Sequence, residues 1–250
     1  MLDPSKCKKD EAYCRVHFFV SQDDDYGEVR KYTPKPSLVK KGYATGNFTS
    51  ILSVPATGYD ACAEKREGDI QYLKITNGTQ SGTFEWTTSI NDGRLSAFQY
   101  FPYNEGIDFR DGFLYLVSKT TKYLYVFDLD HGTWKKSSTV FGAFNNEPDQ
   151  VRFIIGDSGK GQLYFTEDSY SGKCGIHARR AVDGAYLTIV ESDGTKYTSE
   201  TTGLAFSVDK TKLYFAFQYE GHLWELSRED GLTFDADTIL DIRRHSTTTR

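Results

Sequence analysis

The residues best placed to do chemistry in this chain are acids. Glu167 and Asp168 are adjacent carboxylates that close the stretch FNNEPDQVRFIIGDSGKGQLYFTED, which begins at Phe144. The stretch opens on a polar corner from Asn145 to Gln150, followed by an apolar run from Val151 to Ile155. A Gly/Ser/Asp turn from Gly156 to Gly161 leads into a second run, Leu163 to Thr166. As strand, turn and strand, this puts Asp149 before one strand and Glu167 after the next, and such ends lie side by side in an antiparallel pair. Glu105 stands at the corresponding place in the preceding unit, and Glu200 or Thr202 in the following one. Hard cations such as calcium take about six to eight oxygen ligands, which converging carboxylates and carbonyls supply. Glu105, Asp149, Glu167 and Asp168 are therefore predicted metal ligands. The competing reading makes them solvated turn residues.

Basic residues follow. Alternation in GIHARR places His177 and Arg179 on one strand face, where they are predicted to hold an anionic substrate such as a phosphate. An outward-facing strand surface fits the same pattern. Asp23, Asp24 and Asp25 form a charged turn with a weaker case for a cation, and His222 and Trp224 read as outer-strand packing. No G-x-S-x-G elbow, Walker loop or G-x-G-x-x-G occurs, which removes the usual serine-hydrolase and nucleotide signatures. The cysteines Cys7, Cys14, Cys62 and Cys174 form no C-x-x-C pair, so a zinc ribbon or redox motif is not expected. Cys7 and Cys14 are spaced for a local bridge in an oxidising compartment. Sequons at Asn47 and Asn77 are weak pointers to secretion.

The elements that must carry these acids repeat. Leu114, Leu163 and Leu213 each head a Leu-Tyr run, at intervals of 49 and 50 residues. Each unit has four strand-like pieces. The third pieces are 123–129, 175–180 and 221–227; the fourth are 133–139, 185–191 and a shorter 232–234. A period near 50 with four strands is that of a β-propeller blade, whereas a β-solenoid would repeat at about half that length. The predicted fold is an all-β propeller of four-stranded antiparallel blades, an incomplete six-bladed ring. Its clearest blades span about 100–140, 144–192 and 198–240 of a domain covering 15–250, after a polar arm at 1–14. In a propeller the first strand of each blade lines the channel, so the acids fall at the channel mouth.

Upstream, 69–76 and 82–89 form a hairpin around Asn77-Gly78, assigned to the outer part of an earlier blade with 50–56 near its inner edge. A hairpin from 14–20 to the GEVRKYTP strand is assigned to yet another blade, and 33–46 reads as a loop. No segment shows helical periodicity. Aromatic residues make up 15% of the chain, nearly all Tyr and Phe, and suit pleated, half-buried surfaces. The net charge of −5, with both signs mixed along the chain, gives no case for nucleic acid and suits a bound cation. No apolar run reaches membrane-spanning length. The N-terminus lacks an apolar core, so it is not a signal peptide; the protein is cytosolic or its leader lies outside the sequence. Open blade edges predict self-association.

The segments NEGIDFRDGFLYLVSK, NNEPDQVRF, QLYFTEDSYSGKCGIHARR, ETTGLAFSVDKTKLYFAFQ and GHLWELSREDGLTF resemble the PhoX-type alkaline phosphatase family, including uncharacterised propeller relatives in diatoms and other algae. The likeness covers about 100–245, and 45–95 more loosely. It implies a secreted or periplasmic phosphomonoesterase on a six-bladed propeller, using calcium with an iron pair at the channel mouth. Glu105 in N-E-G resembles the family's H-E-G acid, Glu147-Pro148-Asp149 its R-P-E motif, and Thr166-Glu167-Asp168 its T-E-D motif. These imply calcium-ligand roles for Glu105, Asp149 and Glu167. Two features depart from the pattern: the cysteine-bearing T-P-W-G-T-W stretch that supplies an iron thiolate is absent, and Glu147 replaces the substrate-binding Arg of R-P-E. The resemblance thus implies the calcium half of the site, with the iron half missing or carried by blades outside this chain. The expected function is a calcium-binding propeller that hydrolyses phosphate monoesters. The alternatives are a non-catalytic scaffold for ligand or protein binding and a calcium-dependent lactonase or esterase.

Overall fold

The computed structural model describes residues 17–35, 68–169, 172–180 and 183–237, with residues 39, 45 and 240. The expected arm at 1–14, Cys7, Cys14, Cys62, Asn47, the predicted strand at 50–56 and most of the predicted loop at 33–46 lie outside the described residues.

The chain runs as antiparallel meanders. The first is β1 (Phe18–Val20), β2 (Arg30–Pro34), β3 (Gly68–Ile75) and β4 (Ser81–Thr87), paired in that order. A helix, α1 (Ile90–Tyr100), leads to β5 (Asn104–Arg110), β6 (Phe113–Ser118), β7 (Tyr123–Asp128) and β8 (Thr133–Ser138). The third meander is β9 (Glu147–Ile155), β10 (Gly161–Asp168), β11 (Gly175–Arg179) and β12 (Tyr186–Glu191). The last is β13 (Thr201–Phe206), β14 (Lys212–Phe217) and β15 (His222–Ser227). The opening strands β1, β5, β9 and β13 lie against one another in sequence order, as the channel-lining strands of a propeller do. The outer strands β4 and β8 pair from Ser81↔Lys135 to Thr83↔Thr133 and join the first two meanders.

The repeat leucines explain the packing. Leu114, Leu163 and Leu213 are all buried at the start of a second strand. Along β10, Leu163 and Phe165 point into a core with Val117, Leu124, Phe144 and Val151, while Tyr164 points into the next one with Ile176, Leu213 and Phe215. A strand buried on both faces needs a continuous apolar run, and Leu163-Tyr164-Phe165 supplies it.

Three expectations change. The N-terminal hairpin and the 69–89 hairpin belong to one blade rather than two, because β2 pairs with β3 from Arg30↔Tyr72 to Pro34↔Gly68. Residues 232–234 form no strand, so the last meander has three among the described residues. And α1 exists. Ser89 caps it, its Oγ accepting from Asp92 N at 3.3 Å. Its buried face is Gly93, Ser96 and Ala97, while Leu95 and Phe98 are exposed, so it carries no apolar stripe for periodicity to detect. Ser96 Oγ accepts from Ile75 N at 3.0 Å, tying the helix to β3.

Candidate metal centre

Irregular pairing positions the acids. Asn104 pairs with Ser118 and Ile107 with Leu116, leaving Glu105 and Gly106 opposite Val117 alone. In the next blade Pro148 pairs with Glu167 and Val151 with Phe165, leaving Asp149 and Gln150 opposite Thr166. These are β-bulges, which re-aim side chains, and they put Glu105 and Asp149 at the same place in successive blades. Gly106 is required there. A Cβ on it would stand 2.6 Å from Asp149 O and 2.7 Å from Gln150 Cα, so only glycine lets β5 approach β9 this closely. Asn104, fully buried, anchors the start of β5: its Oδ1 accepts from Gln22 N at 3.2 Å, and its Nδ2 donates to Gly27 O and, at 3.2 Å, to Phe101 O.

Lys119, just past β6, stands at the centre. Its Nζ lies 2.9 Å from Glu105 Oε2, 2.8 Å from Asp168 Oδ2 and 3.5 Å from Asp23 Oδ2. Asp149 faces Glu105, and Glu200 faces Asp168. Asp149 Oδ2 accepts from Thr166 Oγ1 at 3.2 Å; Oδ1 is buried and meets no hydrogen-bond donor among the described residues. Burial, then the adjacent Glu105 and the charge of Glu200, push the Asp149 carboxyl well above the usual carboxylate range. Burial and the charge of Asp168 push Glu200 up to about 7. Burial also raises Asp23, against the opposing pull of Lys119. Burial alone would lower the Lys119 ammonium, but its bonds to Asp168 and Glu105 outweigh that and hold it charged. Among the described residues no three of His, Cys, Asp and Glu close into a metal cage; the carboxylates are spread round the ammonium instead.

The predicted residues therefore divide. Glu105, Asp149 and Asp168 come together, and of the two options at the start of the fourth blade it is Glu200 that joins them. Thr202 Oγ1 instead accepts from Gln150 Nε2 at 2.8 Å. Glu167 points to the other side of β10. Its Oε1 accepts from Asn145 N at 3.1 Å and Asn146 N at 2.8 Å, and its Oε2 lies 3.0 Å from His177 Nε2. It latches the corner that leads into β9 and is not part of the acidic group. His177 is fully buried, stacked on Phe144 at 4.2 Å with Nδ1 3.2 Å from Thr188 Oγ1, so it presents no surface to a substrate. Arg179 shares that strand face but pairs with Leu163, four residues before Glu167 and roughly 13 Å along the strand. It lines a groove of about 530 Å³ between the second and third blades with Tyr115, Lys135 and Phe153.

Sequence reasoning missed Lys119, whose position after β6 matches that of Asp168 when both are counted from the repeat leucine. It also undervalued Asp23. Asp24 builds the turn, accepting from Tyr26 N at 2.9 Å, and so frees Asp23 to face Lys119.

No family model and no curated protein matches the chain. Among solved structures, Pseudomonas fluorescens PhoX in complex with vanadate, a transition state analogue, superposes with a TM-score of 0.55 at 14% sequence identity. The match covers 89% of this chain and 52% of that one, so the chain spans about half the length of the structure it resembles. What the two share is the β-propeller fold.

Proposed function

We propose that this chain is a calcium-binding propeller whose acidic group takes part in hydrolysing phosphate monoesters, as the likeness to PhoX suggests. The observation that carries the reading is Asp149 Oδ1, buried and without a donor among carboxylates drawn from successive blades. Leaving a buried carboxylate oxygen unmatched is costly, and a cation is the partner that removes the cost. The donor set is all hard oxygen, which suits calcium. Glu105, Asp149, Asp168 and Glu200 would hold the ion, with Asp23 at the rim. When bound, calcium would neutralise charge developing on the phosphate oxygens.

Iron fits poorly. Cys174, the cysteine within the described residues, is buried and donates to Ser199 O, and burial pushes its thiol up to about 11. It stands as a buried thiol bonded to the backbone, not as an exposed thiolate. A secreted or extracytoplasmic location is part of the same proposal, carried over from the family resemblance; among the described residues no helix is long and apolar enough to cross a membrane.

The test is thermal unfolding of the purified chain in chelator and then in millimolar calcium, followed by turnover of a generic phosphomonoester. A calcium-dependent rise in melting temperature supports the site, and calcium-dependent turnover supports the reaction. No rise removes the metal reading.

A further inference from the structure

We infer that Lys119 and a divalent cation are alternative occupants of the same carboxylate group, so that Lys119 sets how tightly the chain holds calcium. This rests on the reading of that group as a calcium site. The Lys119 ammonium is within 3.5 Å of acids from three blades, Asp23, Glu105 and Asp168, and its side chain is only 10% exposed. An ammonium has three donors, and three carboxylates meet it. It pairs with all three by charge and leaves Asp149 Oδ1 unmatched.

The repeat makes the same point. Counted from Leu114 and Leu163, one blade delivers an ammonium where the next delivers the carboxylate of Asp168. A lysine here is thus a tethered cation placed among ligands that would otherwise converge. Calcium binds oxygens at about 2.3–2.6 Å and carries twice the charge. The carboxylates can close to that distance only once Nζ has left, because two cations that near repel strongly. The flexible lysine stem allows the head to swing toward the channel while its methylenes stay packed.

The experiment is a calorimetric calcium titration of the wild-type chain and of Lys119→Met, which keeps the stem volume and removes the charge. The exchange predicts at least about tenfold tighter calcium binding by K119M. Equal or weaker binding by K119M overturns the exchange while leaving the calcium site standing. No binding by either protein overturns both. A second measurement needs no variant: amine-reactive labelling of the wild type, read by mass spectrometry with exposed Lys135 as internal reference. Calcium should increase Lys119 labelling several-fold relative to Lys135. Unchanged or reduced labelling overturns the exchange even where K119M does not fold.

Discussion

At the scale of single residues, Asp149 and Glu167 look alike in sequence and differ in what they do. Asp149 is a buried carboxylate beside Glu105 with one oxygen unmatched. Without a cation, folding must either keep that charge in a buried site or take up a proton to neutralise it, and both cost stability near neutral pH. Asp149→Asn should therefore melt higher than wild type in chelator, by on the order of 1–2 kcal/mol of stability, and lose the calcium-dependent rise. Glu167 is buried with both oxygens occupied by Asn145 N, Asn146 N and His177. Glu167→Gln keeps an acceptor for the corner and removes the charge facing His177. It should melt lower than wild type and keep its calcium response. A differential scan of the two variants with and without calcium checks both outcomes; loss of the response in E167Q would return Glu167 to the ligand set. The two acids were hard to separate from sequence because strand alternation fixes the side a residue points to only once the register is known. The bulge opposite Thr166 shifts that register by one residue.

At the scale of elements, the strands were legible and the helix was not. The Leu-Tyr runs state their strand period and their burial at once, and β6, β10 and β14 form where they predict. Helix α1 meets the sheet through Gly93, Ser96 and Ala97, residues with little or no apolar side chain, and turns Leu95 and Phe98 outward. Its burial is a matter of close approach: a Cβ on Gly93 would stand 2.6 Å from Tyr72 Cβ. Gly93→Ala should accordingly destabilise the protein by about 1–3 kcal/mol, against the ~1 kcal/mol that alanine ordinarily gains in a helix interior. Chemical denaturation measures the sign. The corner before β13 shows the latch of Glu167 again with another acid. Glu220 accepts from Thr198 N at 3.0 Å and Ser199 N at 3.4 Å and takes the Ser199 hydroxyl. The Ser199 hydroxyl and the Thr198 amide pull its carboxyl down to about 2. A carboxyl lowered by folding stabilises the protein above its unfolded value of about 4.3, and that contribution is lost as the pH falls through about 2. Glu220→Gln should melt below wild type near neutral pH and converge with it near pH 2, as thermal melts across an acid series would show. A constant gap across the series would mean that the charge of Glu220 does not hold the corner.

At the scale of the whole molecule, the repeat period set the architecture, and the blade boundaries followed from pairing that sequence alone did not contain. The link from β2 to β3 takes in residues 35–67, so no tight turn announces that the two hairpins share a blade. The same scale decides what the last meander meets. Among the described residues β15 has β14 on one side and no strand on the other. It exposes Leu223 at 74% and Trp224 at 41%, next to Tyr219 at 86%. An exposed apolar edge strand offers unpaired backbone donors and acceptors to another chain unless charge or cover blunts it. The charge on β15 is partly spent, since Glu225 is paired with Lys212 across the hairpin at 2.7 Å. Purified chain should therefore self-associate with rising concentration, edge to edge through β15. Leu223→Lys places a charge on that edge without touching the buried face of β14, and should return the protein to monomer with little change in melting temperature. Sedimentation velocity across a concentration series distinguishes the outcomes. A wild type that stays monomeric at high concentration would mean that this edge is already covered within the chain, and an L223K that still associates would place the contact on another surface.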